Sequence, residues 1–307
     1  MDKFANLEAF VTVVECGSFS GASERLDVAK SAVSRRVGQL EDQLGSRLLN
    51  RTTRRLSLTE AGKVFFQQAR QVLMDLDDAE QQVSDQQGSL RGLIRLAAPL
   101  SFGYLHLAPV LSEFMQRHPE IEMEVSLNDR YINLVEEGID VAIRIGALED
   151  SNLIARRIAD IHLVTIASDA YLQQSGELKS PSDLQHHQGL EYSNLPRGSR
   201  WNYRDAQGHE LSPIVPCRFR ANNGNLLLTM AIDGLGVLKS PLFICGEALR
   251  QGQVRQVLQA WEEAPKSMYA VYPPGKLQSR RVRAFTDYLI DRFRNTTGWD
   301  GGEVPDA

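Results

Sequence analysis

Residues 60–87, EAGKVFFQQARQVLMDLDDAEQQVSDQQ, contain no proline and a single glycine, Gly62. Phe65, Ala69, Val72, Leu76, Ala79 and Val83 follow a 4-3-4-3-4 spacing, a heptad seam sustained for almost three heptads. A helix over this run is about 42 Å long at ~1.5 Å per residue. It cannot bury its stripe alone, so it packs on its own domain or pairs with a second copy. The run also divides the chain. Short helical patterns precede it, and alternating strand and helix patterns follow it.

In the first part, Leu7, Phe10, Val11 and Val14 predict an amphipathic helix over 3–15. Gly17 suits its end, and Ser18 is an N-cap for a short second helix carrying Ala22 and Leu26. A third helix starts near residue 30, with Val33, Val37, Leu40 and Leu44 on one side. Two short helices joined by a tight turn describe a helix-turn-helix, whose second helix enters the major groove by its N-terminal part. Lys30, Ser31, Ser34 and Arg35 occupy that part, followed by Arg36. Arg and Lys donate to guanine edges, and Ser bonds a base or a phosphate.

The chain has a net charge of −5, yet residues 30–55 hold seven cations (Lys30, Arg35, Arg36, Arg47, Arg51, Arg54, Arg55) against Glu41 and Asp42. An isolated run of this kind is usually a solvated surface. The next segment, RTTRRLSLT, changes that reading. It alternates, with Leu56 and Leu58 inward, and predicts a hairpin wing. A wing bearing Thr53, Arg54 and Arg55 beside the recognition helix reaches a phosphate row or the minor groove.

Residues 4–62 resemble the winged helix-turn-helix of LysR-type transcriptional regulators. The residues carrying the resemblance are LEAFVTVVECGSFSGASERL, AVSRRVGQLEDQLGSRLLNR and LTEAG. Many members place Ser and Gln where this chain has Ala29 and Lys30. Ala29 removes a side-chain N-cap worth about 1 kcal/mol. Lys30 suits guanine or phosphate rather than adenine, so the family's usual half-site does not transfer. The resemblance implies a ligand-responsive regulator that binds double-stranded DNA at a pseudo-palindromic operator as a homodimer or homotetramer, with RNA polymerase as a further candidate partner. It also implies pairing through the linker helix, by Phe65, Ala69, Val72, Leu76, Ala79 and Val83.

Beyond residue 90, LIRLAA, IEMEVSL, DVAIRIG, LVTIAS, VRQVL and SMYAVYPP predict strands. GYLHLAPVLSEFMQRHP, RYINLVEEGI, DAYLQQSG, SDLQHH, NNGNLLLTMAIDG and SRRVRAFTDYLIDRF predict helices. The fold class is α/β. This half looks like the LysR-type effector domain, similar in fold to periplasmic solute-binding proteins, which implies two subdomains joined by crossovers near 161–163 and 266–268. The expected domains are 1–58 winged helix-turn-helix, 59–88 linker helix and 89–296 effector domain. Subdomain I takes 91–162 and 267–296, subdomain II takes 163–266, and 297–307 is a tail.

Ligands in such folds sit beyond the carboxyl ends of strands and at helix N-termini. Ser101 with Phe102, Arg144 with Ile145, and Asn222 with Asn223 hold such positions, and Asn202 lies near the expected mouth beside Trp201 and Tyr203. Ser101 and Asn223 serve equally as helix caps, Arg144 as a structural ion-pair member, and Trp201 as packing.

No GxGxxG, P-loop, HExxH or GxSxG occurs, so no catalytic constellation supports an enzyme. His186 and His187 are adjacent and point to different faces, unlike a metal pair. Cys16, Cys217 and Cys245 show no disulfide or zinc spacing. No cofactor is expected, only a small effector, anionic by the character of the expected site. With no signal-peptide pattern and no long apolar span, the expected compartment is the cytoplasm. Two alternatives stand: a small-molecule-binding protein whose N-terminal helices serve only assembly, and a regulator sensing redox state through Cys217 and Cys245.

Overall fold

The computed structural model describes residues 2–51, 56–84, 90–130, 132–148, 152–195, 198, 200–274, 276 and 279–294. The chain forms two compact units, the second beginning at Leu90.

The first unit contains α1 (Lys3–Cys16), α2 (Phe19–Arg25), α3 (Lys30–Leu44), β1 (Leu49–Arg51), β2 (Leu56–Leu58) and α4 (Glu60–Ser84). Gly17 and Ser18 cap as sequence singled out, and Asp2 adds a cap that sequence reading did not name. Asp2 Oδ1 accepts from the Phe4 and Ala5 amides, Gly17 closes α1 at φ 64°, and Ser18 Oγ accepts from Gly21 N at 3.0 Å. Phe10, Val13, Ala22, Val33, Val37 and Leu40 form the buried centre. β1 and β2 pair antiparallel, with Leu49 opposite Leu58. Thr59 Oγ1 donates to Arg47 O at 2.7 Å and accepts from Gly62 N at 2.9 Å, which joins the hairpin to α4. A Cβ on Gly62 would meet Leu48 O at 2.0 Å, so only glycine permits this approach.

The apolar stripe of α4 divides. Phe65 and Ala69 pack on the unit's own core, the Phe65 ring 5.8 Å from Phe10, whereas Val72 is 47% exposed. Leu76 is half-buried, Ala79 is exposed, and the Val83 side chain lies outside the described residues.

The second unit has two five-stranded mixed sheets. Its elements are β3 (Gly92–Ala98), α5 (Leu100–Phe102), a π-helical turn (Gly103–Leu107), α6 (Ala108–Arg117), β4 (Ile121–Leu127), β5 (Val141–Ile145), β6 (Ile154–Ile161), β7 (Leu163–Ala167), α7 (Asp169–Ser175), a 3-10 helix (Pro181–His186), β8 (Gly189–Tyr192), β9 (Tyr203–Asp205), β10 (Glu210–Leu211), β11 (Cys217–Ala221), α8 (Gly224–Ile232), β12 (Val237–Pro241), α9 (Leu242–Arg250), β13 (Arg255–Val257), β14 (Trp261–Glu262), β15 (Lys266–Tyr272) and α10 (Arg280–Arg294). The first sheet has the order β4-β3-β5-β15-β6 and the second β11-β8-β12-β7-β13; β10-β9-β14 form a small third sheet. The chain leaves the first sheet after Ile161, enters the second at Leu163, and returns at Lys266.

Two expectations need correction. RYINLVEEGI is not a helix. Its described residues form an irregular segment ending in a turn, with Ile139 N bonded to Leu134 O at 2.8 Å and Gly138 at φ 64°. Asn and β-branched Ile and Val favour helix weakly, and burying Leu134 and Ile139 decides the path. The helix after β3 is interrupted by a π turn just before Pro109, which has no N–H to offer Leu105 O.

Candidate DNA-binding face and ligand cleft

α3 presents its N-terminal end free of acid. Lys30, Ser31 and Arg35 are exposed, Ser34 and Arg36 are half-buried, and the first turn carries no carboxylate. Ala29 at the N-cap makes no side-chain bond, as its methyl dictates. The helix end therefore offers N–H groups and cations together, a combination suited to phosphate. Glu41 does not offset this charge at the exposed end. It is 2% exposed, and its carboxylate accepts from the amides of Leu48 and Leu49 and from Arg47 Nη1. Thr53, Arg54 and Arg55, expected on the wing tip, lie outside the described residues. The strands that lead to the tip are in place.

The second unit holds a cleft of about 340 Å³ between its two sheets. Ser101, Phe102, Arg144 and Ile145, named from sequence, all line it. Asn202, Asn222 and Asn223 do not. Asn223 caps α8, its Oδ1 accepting from Leu226 N at 2.9 Å, and Asn222 is exposed. Asn202 Oδ1 accepts from Ser212 Oγ at 2.9 Å and its carbonyl takes Lys239 Nζ at 2.8 Å. Trp201 and Tyr203 are buried in packing.

Sequence reading missed Asn128, Asp129, Tyr192, Asn194, Lys239 and Lys266, which also line the cleft. The first four follow or end β4 and β8, so the strand-end rule that selected Arg144 would have found them. Lys239 and Lys266 carried no such signal. Asn194 Nδ2 donates to Asp129 O at 2.7 Å across the cleft. Asp129 Oδ1 accepts from Leu100 N at 2.9 Å. Burial, then the Asp129 charge, pushes the Tyr192 phenol up, so it stays protonated. Arg144 donates to the carbonyls of Arg130 and Ile132. Lys239 pairs with Glu263 at 2.6 Å and lies 4.3 Å from the Tyr203 ring centroid; burial lowers its pKa against that pairing. His106 Nε2 bonds Phe243 O at 2.9 Å and ties the helix after β3 to α9. Ser101 Oγ is buried and makes no hydrogen bond among the described residues.

Among the three free thiols, Cys16 and Cys217 are half-buried. Burial and then Glu191 raise the Cys217 pKa, and Cys245 is fully buried. No group of three or more metal-ligating side chains occurs among the described residues.

A winged helix-turn-helix joined to a two-sheet domain with a ligand-sized cleft defines a DNA-binding regulator with an effector domain. Residues 4–63 match the family described as "Bacterial regulatory helix-turn-helix protein, lysR family", and residues 87–294 match "LysR substrate binding domain". The chain belongs to the LysR family of transcriptional regulators. It is 37% identical to an HTH-type transcriptional regulator of Haemophilus influenzae over 89% of this chain and 94% of the relative. It is 36% identical to the regulator CrgA of Neisseria meningitidis serogroup C over 94% and 96%. Among solved structures, CrgA aligns with a TM-score of 0.61 at 34% identity, covering 95% of this chain and 99% of that one. Full-length AphB of Vibrio cholerae, described as a virulence activator, aligns at 0.60 and 30% identity, covering 95% and 100%. The family decides between a DNA-reading module and an assembly module, and it is one of regulators, not enzymes. Among the described residues, no helix is long and apolar enough to cross a membrane.

Proposed function

We propose that the protein works in the cytoplasm as a homodimer or homotetramer that reads a pseudo-palindromic operator and answers to a small anionic effector. The observation that carries this reading is the acid-free N-terminal end of α3, with Lys30, Ser31 and Arg35 exposed. Lys30, Ser31, Ser34 and Arg35 read base edges and phosphates. Arg36, Thr53, Arg54 and Arg55 add backbone contacts, which position rather than specify. Pairing uses the outer part of the α4 stripe, from Val72 through Leu76 and Ala79 to Val83, because Phe65 and Ala69 are occupied within the unit. The effector takes the cleft at Ser101, Phe102, Arg144 and Ile145, where the buried Ser101 hydroxyl, without a hydrogen bond among the described residues, and the positive charge of Arg144 suit an acid. Asn202, Asn222 and Asn223 act around this wall, not in it. No cofactor is needed, and RNA polymerase is the partner through which occupancy reaches transcription.

Footprinting of the purified protein on DNA upstream of its own gene, at several salt concentrations, tests the reading. The expected result is a protected dyad with half-sites about one helical turn apart or a multiple of it. Absence of any protection, even at low salt, would overturn it.

A further inference from the structure

We infer that the cleft takes a ligand with two acidic groups, one held at Ser101 and the N-terminus of α8, the other at Lys266 beside the chain crossovers. The inference deepens the anionic-effector reading and rests on it.

The first point is a neutral anion receptor. Ser101 is 6% exposed, lines the cleft, and its hydroxyl has no hydrogen bond among the described residues. A Cβ on Gly224, the first residue of α8, would stand 3.6 Å from that hydroxyl, so the hydroxyl faces the helix end. Asn223 occupies the Leu226 amide, which leaves the Gly224 and Asn225 amides outside the helix ladder.

The second point is a cation. Lys266 is half-buried in the cleft wall, and among the described residues no carboxylate pairs with it. Lys239 differs, because Glu263 already balances it. Lys266 opens β15 opposite Ile161, the last residue before the crossover at His162.

The two points are apart. β3, which leads to Ser101, and β15 flank β5, so their backbones are about 10 Å from each other at ~4.8 Å per strand. A single acid at Ser101 leaves the Lys266 charge uncompensated against apolar Ile145, Ile161 and Leu163. A single acid at Lys266 leaves the hydroxyl and the helix end unmet. A ligand with acidic groups a few atoms apart satisfies both. The cavity, at the low end of the ~300–1,000 Å³ usual for ligand pockets, limits it to a small skeleton. Dicarboxylates and phosphorylated carboxylates share this chemistry.

Calorimetric titration of the full chain with matched probes tests the inference: glutarate against valerate, phthalate against benzoate, 3-phosphoglycerate against glycerate. At least one diacid is expected to bind about tenfold or more tightly than its monoacid partner. Lys266→Met, which keeps the aliphatic stem, and Lys266→Gln are each expected to bring the affinity of the diacid down to that of its monoacid partner. Ser101→Ala is expected to weaken both probes. Equal binding within every pair, or preference retained in both Lys266 variants, overturns the two-acid inference and leaves the anionic effector standing. Binding by none of the acids, or by valeramide or benzamide in their place, overturns both.

Discussion

The Glu41 carboxylate accepts the Leu48 amide at 2.9 Å, from a helix interior to the first residue before the wing strand. The same oxygen takes Leu49 N at 3.1 Å, and the other takes Arg47 Nη1. A buried acid on α3 therefore sets where the hairpin begins. Glu41→Ala leaves two buried amides without an acceptor, each costing about 1–3 kcal/mol. The expected result is a lower denaturant midpoint, together with weaker DNA binding at unchanged base preference, measured by urea titration and fluorescence anisotropy.

Arg35 and Arg54 are expected to fail differently. Arg35→Ala removes a base-edge donor and lowers discrimination between operator and scrambled DNA by roughly 1–3 kcal/mol. Arg54→Ala removes a phosphate contact, so it weakens binding to both DNAs and reduces the salt slope by about 1. Competition binding across a salt series separates the two. Unchanged affinity and preference in Arg35→Ala would mean that another face of the unit reads DNA.

Lys276 and Asp140 stand 3.0 Å apart in the interior, 3% and 1% exposed, with the second Asp140 oxygen taking Arg95 N at 2.9 Å. The contact is an ion pair by distance, with off-axis hydrogen-bond geometry. Lys276→Met strands a buried carboxylate and is expected to destabilise by about 3–5 kcal/mol. Lys276→Met with Asp140→Asn removes both charges and is expected to cost less than the single change. Chemical denaturation of the three proteins decides it; a double variant worse than the single would show that the ion pair is not the reason for the loss.

Burial depresses the pKa of His106 below its usual 6.5, against the bond to Phe243 O, and burial likewise depresses His187. Below the unfolded value the unfolded chain binds these protons first. The stability contribution is therefore complete above about pH 6.5 and is lost as pH falls through the depressed folded values. His106→Gln is expected to flatten this acid limb while leaving the slope above pH 7 unchanged, as read from denaturation midpoints at stepped pH.

Much of this was legible locally. Ser18, Gly17 and Thr59 announced helix ends that their own side chains or φ angles then make. LTEAG carried both a cap and the one residue small enough to approach Leu48 O. Ser101 and Arg144 were found because they follow or end parallel strands, a placement visible from element order. Lys239 and Lys266 were not. Lys239 lies on the antiparallel pairing of β12 with β7 and Lys266 on that of β15 with β6, and those reversals bring them to the edge where the parallel strands end.

The sequence by itself determined the helices of the first unit, the sign of charge at the start of α3 and the strands β3, β4, β5, β7, β13 and β15, because periodicity, caps and charge are properties of neighbouring residues. Only the tertiary structure decided that Phe65 and Ala69 turn inward to Phe10, that Glu41 holds the wing, and that Ser101 and Lys266 face one cleft. Those outcomes depend on which distant surface each side chain meets, and a hydrophobic or charged pattern names a face without naming its partner.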